Sequence, residues 1–292
     1  MASDVVELVV LGVAQDGGVP QAGCSCSRCL AAINDPALRR FPVSCAVRGL
    51  DGGLHLIEAT RDLSAQLGML CSALGLDSIP IPETICLTHA HLGHIDGLGQ
   101  FGKEVMGADS VPLYASESVL EEIGRRGLAQ PFELREITSN VSFKPSKGCG
   151  FEYSLIPVPH RDNESETHAV LIRGPVASVL FLPDHDDWRE TLDRHGKSNI
   201  REWLSELDVD VALLDGTFWD SSELPGRDMS MIPHPPITET LGRLGVRIQG
   251  DPEIRFTHIN HSNPVLDVAS PEAIEIESMG WSLARQAEVI FL

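Results

Sequence analysis

The sequence lacks features that would place the protein in a membrane or on a nucleic acid. No apolar run approaches the roughly 20 residues that are needed to cross a bilayer, and no repeat or low-complexity tract is present. Positive charge is scarce: 22 lysines and arginines stand against 42 acids, which gives a formal net charge of −20. A field of that sign repels phosphate backbones and anionic lipids, so we expect neither as a partner.

The start of the chain also lacks the basic segment and the long apolar core of a secretory signal. Residues 1–12, MASDVVELVVLG, are acidic and contain only a short apolar stretch, so we predict a cytoplasmic protein. The cytosol keeps thiols reduced. We therefore expect the seven cysteines to be metal-binding thiolates or buried apolar residues rather than disulfides.

Apolar runs bounded by turn residues alternate with helical patterns along the chain. Strands are predicted at 5–12, 54–60, 84–90, 111–116, 153–160, 168–174, 178–184, 209–216 and 253–259. Helices are predicted at 62–75, at 116–127 with a capping pattern from Ser118 to Glu121, and at 198–207, while 233–239 is a proline-rich loop entering a helix. This alternation predicts a layered α/β sandwich, as a single domain over 1–292.

Three of the 11 histidines lie within six residues, in THAHLGHIDG (88–97). His89, His91 and His94 follow an apolar strand, where side chains can converge without disrupting the sheet. Imidazole is a common zinc ligand, so the clustering favours a metal site over solvent-facing or capping roles.

Three other polar residues each follow an apolar run in the same way: His160, Asp184 and His258. Any one of them alone would be interpreted as a turn residue. Because the context repeats, we interpret them together as further metal ligands, gathered at strand ends where α/β proteins collect their sites.

The remaining histidines have other contexts. His55 and His168 lie inside or at the start of strands and are predicted to be core or edge residues. His185 is a candidate for supporting a ligand from behind, and His195 and His234, in polar surroundings, are predicted to lie on the surface.

A second metal signal comes from cysteines. GCSCSRC places Cys24, Cys26 and Cys29 within six residues, and three thiolates so close can bind one tetrahedral zinc if a fourth ligand arrives from elsewhere. The alternative, three separate loop residues, is disfavoured because exposed free cysteines oxidise. The other four cysteines are predicted to be structural: Cys45, Cys71, Cys86 and Cys149.

These motifs resemble the metallo-β-lactamase fold superfamily, whose fold is a four-layer αββα sandwich. Segments spanning nearly the whole chain are similar to the pyrroloquinoline quinone (PQQ) biosynthesis protein B family: VLGVAQDGGVPQAGCSCSRC (10–29), LIEATRDL (56–63), LLDGTFWDSSEL (213–224), MIPHPPI (231–237) and THINHSNPVLD (257–267). The CxCxxC motif and the late HINH are also similar to the cyclic phosphodiesterase of the phosphonate-degradation pathway.

The resemblance implies roles for these residues. In the superfamily pattern, a first metal is held by His89, His91 and His160, a second is faced by His94 and His258, and Asp184 bridges them. In the phosphodiesterase pattern, His261 completes a structural Cys3His zinc with the three clustered cysteines.

One position departs from the pattern. The superfamily's HxHxDH is HxHxGH here, so no carboxylate is available at Gly93, and Asp96 is expected to point elsewhere. The quinone-pathway family differs in the opposite way, since it loses the first two histidines and keeps the acid. We therefore expect a strong first metal site and a weak or empty second one.

Three functions remain open from the sequence. The leading one is a metal-dependent hydrolase that uses zinc, manganese or iron, with water in the fourth position, to cleave an ester or phosphodiester. The alternatives are iron-dependent oxidation in quinone cofactor biosynthesis and a non-catalytic binding or carrier protein on an enzyme fold. The expected partner is a small-molecule substrate, and a homodimer is left open. The QDGG turn (15–18) and Phe218 with Trp219 are candidate pocket residues, although a plain turn and a core aromatic pair explain them equally well.

Overall fold

Two β-sheets organise residues 4–161 and 164–292, the part of the chain that this computed structural model describes. The strands are β1 (Glu7–Gly12), β2 (Ser44–Arg48), β3 (Leu54–Ile57), β4 (Thr84–Cys86), β5 (Val111–Ala115), β6 (Phe132–Glu136), β7 (Glu152–Val158), β8 (Thr167–Arg173), β9 (Ser178–Leu182), β10 (Val211–Asp215), β11 (Glu253–Thr257), β12 (Ser282–Leu283) and β13 (Val289–Phe291). The α-helices are α1 (Ser27–Asn34), α2 (Leu63–Ala73), α3 (Leu92–Ile95), α4 (Glu117–Arg125), α5 (Trp188–Arg194), α6 (Ile200–Glu206), α7 (Ile237–Leu244) and α8 (Pro271–Ser278).

All nine predicted strands and all three predicted helices are present; β8 has the predicted length, shifted by one residue, and every other element is shorter than its sequence pattern. The expected capping pattern from Ser118 to Glu121 is wrong, because the chain becomes helical at Glu117 and Ser116 is the N-cap residue of α4. The Ser118 hydroxyl instead accepts a hydrogen bond from the backbone N–H of Glu166, at 3.0 Å.

The first sheet has the strand order β13-β1-β2-β3-β4-β5-β6. Strand β2 is antiparallel to both β1 and β3, and β3 to β6 are mutually parallel. Strands β1, β3 and β4 therefore run in the same direction and end at the same edge of the sheet.

The second sheet has the order β12-β11-β10-β9-β8-β7. Strands β9 to β12 are parallel, while β8 is antiparallel to both β7 and β9. Strands β7, β9, β10 and β11 consequently also share one direction.

Three apolar clusters define the layers. In β1, where successive side chains alternate between faces, Leu8 and Val10 join a cluster with residues of the second sheet, while Val9 and Leu11 join a cluster with α2 and α4. A third cluster packs the outer face of the second sheet against α5 to α8. The layers are therefore stacked in the order helix, sheet, sheet, helix, which confirms the predicted four-layer αββα sandwich.

Three of the four helices covering the second sheet begin at side-chain caps; α7 begins after Pro236 without one. Asp187, Asn199 and Ser270 accept hydrogen bonds from backbone N–H groups in the first turns of α5, α6 and α8, respectively. Such a cap stabilises a helix by about 1 kcal/mol. Among the described helices, none is long and apolar enough to cross a bilayer.

His55 is a core residue, as predicted. Its side chain is fully buried in β3, with Nδ1 2.9 Å from the Thr84 hydroxyl and its ring edge-on to Phe151. Burial lowers the pKa of His55 from 6.5 to about 4. Folding therefore favours the neutral imidazole.

We predict that His55 makes the protein acid-sensitive. Because its folded-state pKa is depressed, its contribution to stability is complete above pH 6.5 and is lost as the pH falls towards 4. The substitution His55→Gln, which cannot be protonated, should reduce this loss of unfolding free energy by about 3 kcal/mol. Urea unfolding of both proteins between pH 7 and pH 4 measures the difference, and parallel curves would contradict the prediction.

Candidate metal centre

Strand ends from both sheets meet at one edge of the sandwich. Seven like-directed strands end here, namely β1, β3, β4, β7, β9, β10 and β11. Each carries a polar residue at its end or within four residues after it: Asp16, Glu58, His89, His160, Asp184, Asp215 and His258, respectively. The strands themselves are buried and apolar, so the polar side chains begin where the sheet hydrogen bonding stops.

The first group of donors contains His89, His91 and His160, whose ligand atoms lie within 4.8 Å of one another. Nε2 of His89 lies 3.0 Å from Nδ1 of His91. Two nitrogens on a tetrahedral zinc, each at about 2.0–2.1 Å from the ion, lie roughly 3.3 Å apart. This spacing fits one shared metal ion.

The second group is formed by His94 and His258 beside two carboxylates. Nε2 of His94 lies 3.2 Å from Asp184 Oδ2 and 3.4 Å from Asp16 Oδ1, and Nε2 of His258 lies 3.5 Å from Oδ1 of each acid. Asp184 Oδ1 is also 3.6 Å from His160 Nε2. Asp184 therefore lies between the two groups, in the position of a bridge.

Several of these donor atoms are buried and unsatisfied. Within the described part of the chain, His94 Nε2, His258 Nε2 and Asp184 Oδ2 make no hydrogen bond of adequate geometry, although His94 Nε2 and Asp184 Oδ2 lie 3.2 Å apart and form an ion pair when the ring is protonated. A buried polar atom without a partner costs about 1–3 kcal/mol. Divalent cations at this edge would satisfy all three atoms, so the residues present fit a metal centre.

The protonation states of most of these ligands suit a cation. His94 is the exception: burial would lower its pKa, but Asp184 and Glu58 outweigh burial and hold that pKa well above its usual range, so a metal would have to displace a proton from this ring. Burial lowers the pKa of His89 well below its usual range and that of His91 to about 4, so both imidazoles stay neutral. Burial alone would raise the pKa of Asp184, but the neighbouring His258 and His94 hold it well below its usual range. Neutral imidazoles and ionised carboxylates are the ligand forms that metals require.

Further polar residues contact the ring nitrogens of these histidines that face away from the proposed metal. The Thr217 hydroxyl lies 2.8 Å from His258 Nδ1 and donates a hydrogen bond to Asp215. Glu58 accepts a hydrogen bond from the Thr88 N–H and lies 3.4 Å from His94 Nδ1. Such contacts fix the orientation of a metal-binding ring.

Two histidines predicted to lie on the surface, His234 and His195, are not free surface residues. His234, predicted to lie on the surface, is buried, with Nδ1 donating to Asp215 at 2.7 Å and its ring centroid 5.2 Å from that of His160. The proline-rich loop that carries it folds over the centre. His195 is half-buried and stacks on Trp203, so it is not a free surface residue either.

Among the described residues, the His185 ring contacts none of the proposed metal ligands, so its predicted supporting role stays a prediction. His185 is fully buried, its ring lies 2.9 Å from the Thr191 hydroxyl, and its backbone N–H donates to Asp215 at 3.3 Å. It therefore stabilises the carboxylate that holds His234.

The cysteine cluster meets His261, as the resemblance implies. Sγ atoms of Cys24 and Cys26 lie 3.6 and 3.8 Å from His261 Nδ1, near the roughly 3.5 Å expected between sulfur and nitrogen on tetrahedral zinc. Cys29 completes a group whose four ligand atoms lie within 4.8 Å of one another. Slight burial raises the pKa of Cys26, but hydrogen bonds led by the Cys29 N–H outweigh it and lower the pKa to about 6.

A cavity of about 460 Å³ lies between the two metal-binding groups. Its lining includes Asp16 from the second group of donors, His261 from the cysteine group and Phe218. Two guanidinium groups, Arg61 and Arg227, also line it. A cavity of about 520 Å³ elsewhere has a mainly apolar lining and contains none of the ligands named above.

Comparison with known proteins identifies the family. Residues 55–264 match the family model of the β-lactamase superfamily domain. The chain belongs to this superfamily. It is 25% identical to the coenzyme PQQ synthesis protein B of Methylobacterium radiotolerans, over 96% of this chain and 98% of that protein. It is 27% identical to the corresponding protein of Cupriavidus necator, over 97% and 98%, respectively.

Solved structures share the fold. The Zn2+-bound PqqB from Methylobacterium extorquens superposes with a TM-score of 0.76 at 23% identity, covering 98% of this chain and 100% of that one. A diphosphatase from the PhnP family superposes with a TM-score of 0.65 at 24% identity, covering 98% and 97%, respectively. At these identities the superpositions establish the metallo-β-lactamase fold.

Proposed function

We propose that this protein is a metal-dependent hydrolase that cleaves a small anionic ester, with a phosphodiester as the favoured class. The observation that carries the proposal is the convergence of buried, unsatisfied His94, His258 and Asp184 atoms beside the three-histidine group. In the superfamily, this fold typically supports hydrolysis. Zinc, manganese and iron all suit a donor set of imidazole and carboxylate.

A metal held by His89, His91 and His160 would lower the pKa of a bound water and polarise an ester or phosphoryl oxygen. The protein's own residues would do the rest. Asp184, ionised and placed between the two donor groups, would keep the local charge balanced against the cation and orient the attacking water.

Arginine side chains indicate the substrate's charge. The protein has a net charge of −20, yet Arg61 and Arg227 both line the cavity beside Asp16. Guanidinium groups bind phosphate and carboxylate oxygens through charge-assisted hydrogen bonds. Arg61 is already paired with Asp96 at 2.9 Å, so Arg227 is the guanidinium group that we propose for binding an anionic substrate.

We propose that His234 protonates the leaving group. Its Nδ1 is fixed to Asp215, so Nε2 is the ring nitrogen that remains to hold a proton. A histidine oriented in this way can protonate a departing oxygen as a general acid.

The cysteine group has a separate role in the proposal. We infer a structural zinc on Cys24, Cys26, Cys29 and His261, because sulfur-rich tetrahedral sites are typical of zinc and the measured spacings fit that geometry. It would join the loop after β1 to the loop after β11.

We predict that His89→Ala removes metal from the first group and lowers kcat/KM for bis(p-nitrophenyl) phosphate by roughly 100-fold or more. Metal analysis and steady-state kinetics measure both effects. His195→Gln, outside the centre, is the matched control and should keep both properties. Unchanged turnover in His89→Ala would contradict hydrolysis at this centre, and oxygen consumption with ferrous iron in place of hydrolysis would favour the oxidative alternative.

We predict that Arg227→Gln weakens binding of anionic substrates. KM for bis(p-nitrophenyl) phosphate should rise roughly 10- to 100-fold, because a hydrogen bond between charged groups is lost, while kcat/KM for neutral p-nitrophenyl acetate should not change. An equal loss for both substrates would refute a charge-recognition role.

We predict that Cys26→Ser loses about one equivalent of zinc and lowers the melting temperature, since binding of a structural metal contributes directly to folding. Metal analysis and thermal unfolding provide the measurements. Cys71→Ser, a half-buried thiol outside the cluster that donates to the Leu76 carbonyl, should leave zinc content unchanged. Equal zinc content in both variants would exclude the proposed site.

A further inference from the structure

The space beside Gly93 is filled by another residue's carboxyl group. A Cβ atom built on Gly93 would lie 2.2 Å from Asp16 Oδ1 and 2.5 Å from Asp16 Cβ. Contacts below 3.0 Å essentially never occur for real Cβ atoms. Any side chain at position 93 would therefore have to displace Asp16.

The carboxylate that occupies this space faces the second group of donors. Asp16 Oδ1 lies 3.4 Å from His94 Nε2 and 3.5 Å from His258 Nε2. Oxygen and nitrogen ligands at about 2.0–2.2 Å from one tetrahedral ion lie roughly 3.3–3.5 Å apart. Both histidine nitrogens lack a hydrogen-bond partner among the described residues, so all three atoms fit a single cation.

The backbone holds Asp16 in register with His258. The Gln15 N–H donates to the Ile259 carbonyl at 3.0 Å, and the Ile259 N–H donates to the Val13 carbonyl at 2.7 Å. The turn is closed by the Gly18 N–H, which donates to the Gln15 carbonyl at 2.7 Å. The same pairing thus positions the carboxylate and the imidazole before any metal arrives.

Asp96, the acid in the same segment as Gly93, contacts a different residue. It lies three residues after Gly93 and forms an ion pair with Arg61, whose Nη2 is 2.9 Å from Asp96 Oδ2. It is not in the group formed by Asp16, His94 and His258.

We propose that Asp16 is a ligand of a second metal ion and replaces, from the loop after β1, the carboxylate that position 93 does not supply. The centre then holds two divalent cations rather than the one strong site expected from the sequence. The inference rests on the metal centre of the proposed function, although it does not depend on which reaction is catalysed.

The test is the number of metal ions per chain after loading the full-length protein with zinc and dialysing away the excess. Wild type should retain three equivalents, one on the cysteines and two at the centre. Asp16→Asn and Asp16→Ala should each retain two. Gly93→Ala should also lose one equivalent, because its methyl group displaces Asp16 without providing a ligand.

An exchange variant separates a ligand role from a structural one. Asp16→Gly combined with Gly93→Asp returns the acid to the superfamily position and should restore three equivalents. Asp96→Asn, an acid of the same segment, is the control and should keep all three.

Each outcome decides one question. Three equivalents retained in Asp16→Asn, or only one ion at the wild-type centre, would overturn the assignment of Asp16 while leaving the proposed hydrolase in place. A wild-type protein that retains zinc on the cysteines alone would overturn the metal centre itself, and with it the proposed function.

Discussion

Buried donor atoms without partners are the constraint on which the rest of the site depends. Asp184 and the rings of His94 and His258 are almost fully buried beneath strands that are otherwise apolar, and an ionised carboxylate is costly there unless it is paired. Strand direction creates this situation, because both sheets end their like-directed strands at one edge. Cations are the partners that can satisfy several nitrogens and oxygens at one point.

The pairing of the segment after β1 with the segment after β11 connects the two metal groups. One side of this pairing carries Asp16 and then the cysteine loop, and the other carries His258 and then His261. The side chain of Arg28 also donates to the His261 carbonyl, at 2.5 Å. A metal on the cysteines would therefore hold in place the backbone that positions the second group of donors. Closing so long a loop is also a direct source of folding stability.

The local sequence pattern predicts most of the strands and helices, and it also indicates several of the candidate site residues. Strands were predictable because apolar runs end sharply at turn residues, and His160, Asp184 and His258 were found because each follows such a run. Asp215, the last residue of β10, follows an apolar run in the same way. His234 gave no such signal, since a proline-rich loop has no periodicity and its burial depends on how the loop folds over the sheet edge.

The glycine at position 93 shows why a motif can mislead about a missing ligand. A motif fixes a ligand by its spacing in sequence, whereas a metal requires only an oxygen at a point in space. Here Asp16 and a side chain at position 93 exclude each other sterically, so the acid can come from only one of them. Because Asp16 also lines the cavity with Arg61 and Arg227, an acid supplied from this loop would lie beside the proposed substrate cavity. Occupancy of the proposed second site would then depend on this loop, rather than on the short helix that carries His94.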